Sequence, residues 1–326
     1  VARKSIAAST MPGSSNRTSN NYSARSMLAY RHAFHAGNHG DVLKHLVFVA
    51  VLNYLTTKSA PLAVIDTHAG AGGYALDGRY AARTGEAAEG IGALWHLADR
   101  SADDAALPPM LRDYLEIVRR FNPQGRLEQY PGSPAIALEL LRRGDSLSLV
   151  ERHPTDERLL RAFVAGQPAG GAHARVRLAD GFEAPARELP PASRRALVLI
   201  DPSYELGSDY ARTLAAVRAC LERMATATVI VWYPRLQTIE SRQLPRRLLA
   251  SAGEAPKGWL HATLTVARAG RDGFGLGGSG VVVLNPPFQL GRQLRAVLPR
   301  LVELLRRSPD AGFTVDDREA ASGALR

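Results

Sequence analysis

The chain has 326 residues, enough for one full core with an insertion, and its single cysteine, Cys220, excludes a disulfide framework and a cysteine-built zinc site; a reducing cytoplasm fits. Its apolar runs are strand-sized and none reaches the roughly 18 residues of a membrane span, so no membrane partner is expected. The formal charge is +10; residues 1–26 contribute +4 and residues 308–326 contribute −2, which leaves +8 between them and favours a polyanionic partner such as nucleic acid.

Residues 1–26 are Ser, Asn, Ala and Arg without periodicity, the composition of a disordered extension. The chain opens on Val1, and Met27 offers itself as a natural start. Next comes MLAYRHAFHAGNHGDVLKH, with His32, His35, His39 and His45. Their spacing of three, four and six matches no zinc motif, so no metal is expected, and the segment reads as an RNA- or cofactor-facing loop and helix. Helical patterns follow at Asp41–Thr56, Pro134–Arg143, Thr155–Ala165, Tyr210–Met224, Ile239–Ser251 and Arg292–Arg306. Strand segments alternate with them at Leu62–Thr67, Ser146–Glu151, Arg175–Asp180, Ala196–Asp201, Thr228–Tyr233, His261–Val266 and Gly280–Asn285. Such alternation predicts an α/β fold, a mostly parallel sheet covered on both faces. Only a glycine-rich stretch separates the last two strands, so they should close one edge as an antiparallel hairpin. Residues 79–130 interrupt this order with two helical patterns, Ala87–Ala98 and Leu107–Phe121, and are expected to form a small helical lid or subdomain; residues 308–326 read as a tail.

Several strands end in acids. Asp66 is followed by His68, Gly70, Gly72 and Gly73, a turn that lets backbone approach a ligand. Glu151 ends the next strand, where a nucleotide's ribose hydroxyls would seek a carboxylate, and Asp180, before Gly181 and Phe182, could bond and stack an adenine. Taken singly, each has an ordinary alternative: a glycine turn, a solvated glutamate, an Asp-Gly turn.

ALVLIDPSYE carries the chemistry. Pro202 ends the strand ladder straight after Asp201, so the acid lies at a carboxyl strand end, where open α/β sheets bind ligands. An exocyclic adenine amine is a poor nucleophile, because its lone pair is spread into the ring. A site that methylates it needs acceptors for the amino hydrogens. Asp201 and the Pro202 carbonyl can be those acceptors, and Tyr204 can offer a face for stacking the base. The group is similar to the Asp-Pro-Pro-Tyr of adenine-N6 methyltransferases, with Ser203 in place of the second proline; the serine is not among the groups that the chemistry needs.

Together MLAYRHAFHAGNHGDVLKH, DTHAGAG, YPGSP, ADGF and WYP resemble the bacterial 23S ribosomal RNA adenine-N6 methyltransferases of the RlmJ type, from Met27 to about residue 306. The resemblance implies a Rossmann-like class I methyltransferase with a seven-stranded sheet that uses S-adenosyl-L-methionine to methylate one adenine of 23S rRNA. By motif, cofactor contacts would fall on His45, His68, Ser133, Glu151, Asp180 and Gly181, joined by Gly70, Gly72 and Asp201. Asp201 would be the catalytic acid-base residue and Tyr30 would contact RNA; Arg31 and Lys44, beside these motifs, are candidates for the RNA backbone. A cytoplasmic monomer is expected. Two rivals are a non-catalytic RNA-binding protein of the same fold and a methyltransferase of DNA or of protein glutamine. The latter draws on VVVLNPPF, whose Asn285 follows the seventh strand and not the fourth; that position predicts a structural role away from the donor methyl.

Overall fold

The computed structural model describes residues 32–76, 85–98, 107–167, 171–268 and 276–318. The N-terminal extension, Tyr30 and Arg31 lie outside the described residues. Helix α1 (His39–Thr56) begins where Asn38 caps it, its side-chain oxygen accepting from the N–H groups of Gly40 and Asp41. It leads into β1 (Ala63–Asp66), and β2 (Gly73–Ala75) then pairs antiparallel with β3 (Gln129–Pro131) across the insertion, which carries α2 (Glu86–Glu89), α3 (Ile91–Ala98) and α4 (Pro109–Phe121). There follow α5 (Ser133–Leu140), β4 (Ser146–Glu151), α6 (Pro154–Ala165), β5 (His173–Leu178), α7 (Ala184–Glu188), β6 (Ala196–Ile200), α8 (Gly207–Arg223) and β7 (Thr228–Pro234). The chain closes with α9 (Ile239–Ser251), β8 (Trp259–Thr265), β9 (Gly278–Leu284), α10 (Leu290–Leu305) and β10 (Gly312–Arg318).

Eight strands form the main sheet in the order β10-β8-β9-β7-β6-β1-β4-β5. From β7 to β5 the pairing is parallel, and β1 lies between β4 and β6, so the connections run outward from it in both directions. That reversal is the crevice where doubly wound folds hold nucleotides. Entirely buried strands such as β6 and β9 are continuous apolar runs, as a sheet covered on both faces requires.

Three expectations are corrected. All seven predicted strands are present and β8 and β9 pair antiparallel as expected, but β10 adds outside β8, so the pair is interior and does not close the edge. The edge belongs to β10, which takes part of the predicted tail. Its seven residues lack apolar alternation, and all are at least partly exposed, so the sequence carries no strand signal there. Pairing with β8, the Thr263–Thr314 hydroxyl contact at 2.8 Å and the Arg295–Asp317 ion pair at 2.7 Å hold it. The third correction concerns the insertion, which is no separate subdomain. Leu94, Leu111, Tyr114, Leu115 and Val118 share one apolar core with Val42, Leu46 and Val49 of α1. Burial of side chains of that size contributes about 1.5–3 kcal/mol each.

Candidate active site

The parallel register brings the predicted acids together. Asp66 ends β1 level with Leu149 and Leu199, so Glu151 and Asp201 each project two residues further on the flanking strands. Asp180 follows β5, whose Leu178 pairs with Glu151. Asp201, Asp66, Glu151 and Asp180 thus stand on four adjacent strands along one edge, spread over about 14 Å, three interstrand spacings.

At one end the turns after β1, β4 and β5 form a cradle. Gly70 (φ +63°) and Gly72 (φ +92°) take left-handed conformations that only glycine adopts freely. A Cβ on Gly181 would stand 1.6 Å from the Thr67 carbonyl oxygen, so the two turns touch backbone to backbone. Glu151 accepts from Gly70 N–H at 2.8 Å and His153 N–H at 2.6 Å; burial raises its pKa, and these bonds act against the rise. Asp180 accepts from Phe182 N–H at 3.2 Å and from Arg212, whose guanidinium carbon lies 4.3 Å from the centre of the Phe182 ring. Burial opposes the charge on Asp180, but the Arg212 contact prevails and lowers its pKa. Phe182 also meets the edge of His68 at 4.7 Å. Thr67 Oγ1 donates to the Leu199 carbonyl at 2.9 Å, so His68 Nδ1, 2.7 Å from that hydroxyl, must be the donor in their contact. That leaves His68 Nε2 as an acceptor, with burial holding the imidazole neutral at a pKa of about 3.

Two buried atoms point to a missing partner. His45 Nε2 and Asp66 Oδ2 have no hydrogen bond among the described residues. His45 uses its other nitrogen on Tyr130 OH at 2.8 Å, and Tyr130 OH meets Tyr114 OH at 3.0 Å. Burial, then the nearby Lys44, pushes the His45 pKa well down. Burial drives Asp66 up to about 7, with Ser133 pulling against it and Asp201 adding to it.

At the other end is the substrate turn. The Asp201 side chain is 13 % exposed and accepts from Lys44 Nζ at 2.6 Å. The Pro202 carbonyl accepts no hydrogen bond among the described residues. Ser203 is exposed, its side chain turned outward. Lys44 corrects the sequence reading: it is 3 % exposed and clasped between Asp41, at 2.7 Å, and Asp201, so it is not presented to an RNA backbone. Burial alone would lower its pKa, but the two carboxylates hold it above the ordinary value. Asp41 also accepts from Gly37 N–H and pairs with His32, both at 2.9 Å. Tyr204 differs from expectation as well. Its backbone is left-handed (φ +55°), which turns the ring inward to 5 % exposure, and its hydroxyl donates to the Trp232 carbonyl at 2.8 Å. Tyr210, at 4.8 Å between ring centres, takes up contact with that ring, so no open stacking face is offered. Sequence reasoning passed over Asp41, Tyr130, Trp232 and Arg212. Asp41 alone left a signal, at helical spacing of three from Lys44.

The other candidates separate. The histidines of the opening motif take four different partners: Asp41 for His32, Glu86 for His35, the Leu276 carbonyl for His39 and Tyr130 for His45. Asn285 lies at the opposite end of the sheet. Antiparallel β9 brings Leu284 level with Val229 at the start of β7, and the Asn285 amide donates to the carbonyls of Ala225 and Ala227, both at 2.7 Å. Its oxygen accepts from Lys257 N–H at 3.0 Å. The side chain is spent on backbone, which bears out its structural role.

Residues 59–317 match the family model described as ribosomal RNA large subunit methyltransferase D, RlmJ. The chain belongs to that family. It is 42 % identical to ribosomal RNA large subunit methyltransferase J of Escherichia coli K12, over 84 % of this chain and 93 % of that protein. Identity to the protein of the same name from Haemophilus influenzae Rd is 38 %, over 89 % of this chain and 98 % of the relative. A crystal structure of a Legionella pneumophila protein superposes with a TM-score of 0.76 at 29 % identity, covering 87 % of this methyltransferase and 98 % of that chain. The fold is therefore the α/β methyltransferase fold predicted, with an eighth strand. No helix among the described residues is long and apolar enough to cross a membrane.

Proposed function

We propose that this methyltransferase transfers a methyl group from S-adenosyl-L-methionine to N6 of an adenine in 23S rRNA; the names of its relatives support the large-subunit rRNA and the methyl transfer, and the strand-end site supports the base. The observation that carries the reading is the placing of Asp201 beside a Pro202 carbonyl that no described residue engages, at the strand end next to Asp66. The cradle fits the cofactor: His45 and Asp66 carry buried polar atoms without a partner among the described residues, and Asp66, Glu151 and Asp180 stand at the ends of neighbouring strands beside the left-handed turn at Gly70 and Gly72. His68, Ser133, Glu151, Asp180 and Gly181 complete the set of residues that would hold it. When bound, the sulfonium supplies an electrophilic methyl group.

Asp201 and the Pro202 oxygen accept the two amino hydrogens and relieve the positive charge that grows on N6. Lys44 fixes the carboxylate from behind, at 2.6 Å, so the acceptor does not reorganise during the reaction. The nitrogen loses one proton as it gains the methyl, and Asp201 is placed to take it or to pass it to water. Delivery of the base requires extrusion from its stack. Arg31 and Tyr30 remain the proposed RNA contacts.

Tritium transfer from labelled cofactor to purified 23S rRNA, DNA and protein tests this. Label is expected in rRNA as N6-methyladenosine, and Asp201→Asn should lower the rate by about 10²–10³ while affinity for S-adenosylhomocysteine changes far less. Label in DNA or protein overturns the substrate; no label with intact RNA binding overturns the activity.

A further inference from the structure

The β5 end of the sheet carries a surface that methyl transfer does not use. His173, Arg175 and Arg177 alternate along β5 and so share one face. The register sets Ser146 beside His173 and Ser148 beside Arg175 on β4. In a doubly wound sheet a crossover helix covers this face. Here the connection from β5 to β6 holds only a 3₁₀ turn, Gly181–Glu183, and the five-residue α7. The apolar side chains of that connection, Ala184 and Leu189, pack with Ile65 and Val150 toward the catalytic edge. The rest of the face is left as a cavity of about 130 Å³, lined by Ser146, Ser148, His173, Arg175, Glu188 and Pro191 among others.

Its chemistry is that of an anion site. Glu188, the one acid in the lining, is ion-paired with Arg177. Arg175 and His173 are exposed and enter no ion pair among the described residues. Burial, and then the neighbouring cations Arg175 and Arg187, lower the Arg177 pKa, so positive charge is in surplus here. Ser148 Oγ is buried without a hydrogen-bond partner among the described residues. Guanidinium and hydroxyl donors, with the one carboxylate already ion-paired, are suited to the oxygens of a phosphate.

We propose that this groove is a second RNA contact, where Arg175, with His173 and the hydroxyls of Ser146 and Ser148, holds a backbone phosphate of the rRNA substrate. The inference rests on the rRNA reading above. Along β4 the groove lies three to five residue steps, about 10–17 Å, from the Glu151 end. It therefore takes a phosphate of the flanking RNA and not that of the methylated nucleotide, positioning the substrate without reading its sequence. Free inorganic phosphate presents the same chemistry, and the experiment separates the two sources.

Full-length wild type, Arg175→Glu and Arg175→Lys are titrated with a 23S rRNA fragment over a range of salt, alongside S-adenosylhomocysteine binding and methylation at saturating RNA. Arg175→Glu is expected to weaken RNA binding about 5- to 10-fold near 0.1 M salt and to reduce the slope of log K against log salt by about 1. Arg175→Lys should retain most of that slope, with cofactor affinity and the saturated rate unchanged in both variants. Wild-type affinity and slope in Arg175→Glu overturn the proposal, and they do so even if calorimetry with inorganic phosphate shows binding that this variant loses. Should wild type neither bind nor methylate rRNA, the functional reading fails as well, an outcome distinct from the first.

Discussion

Lys44 is clamped 2.7 Å from Asp41 and 2.6 Å from Asp201, and it screens two carboxylates that burial would otherwise penalise. Removing one member of such a cluster strands the others, at a cost of about 3–5 kcal/mol. Lys44→Met is expected to lose stability of that order in urea unfolding and to lose methyl transfer. Lys44→Arg keeps the charge but not the shape, and should recover stability more than turnover. Asp66 behaves oppositely with pH. Burial pushes its carboxyl from 3.8 up to about 7, so between these values the folded chain holds a proton that the unfolded chain has released. Stability from this group falls as pH rises through that window and levels off above it. Asp66→Asn cannot ionise; unfolding at pH 5 and pH 8 should show it gaining further on wild type between the two, by a few kcal/mol at most. The acid at this strand end is legible in the sequence. Its orphaned oxygen is not, because the burial that matters comes from segments distant in the chain.

At the scale of elements, the strand ends could be read because parallel strands announce themselves as apolar runs that stop at an acid or proline. β10 could not, since its order is inherited from the β8 ladder. Nor could the inward turn of Tyr204, which depends on one left-handed backbone angle. Asn285 shows the sequence logic succeeding from topology, since an element running the other way deposits its last residue at the far rim. Its amide closes backbone carbonyls at Ala225 and Ala227. Asn285→Ala should destabilise by about 2–3 kcal/mol in urea unfolding while the methylation rate at saturating substrates stays at the wild-type level.

For the whole molecule, acid is the expected weakness. His39 and His45 are buried and His68 is half-buried, and desolvation lowers the pKa of each, that of His68 to about 3. The unfolded chain takes up these protons from about pH 6.5 downward and the folded chain does not, so stability drains away as pH falls from 6.5 toward 3. Asp66 and Glu151, whose pKa values are raised, act in the other direction over part of that range, while Asp41 and Asp180, whose pKa values are lowered, act with the imidazoles. The urea midpoint should therefore decline below pH 6.5, and a midpoint that is level down to pH 5 would contradict the neutral histidines.

The tie from Tyr114 through Tyr130 to His45 joins the insertion to the first helix inside a shared apolar interior. Held in this way, α4 and β3 share the fate of the first helix, and whatever loosens one loosens the other.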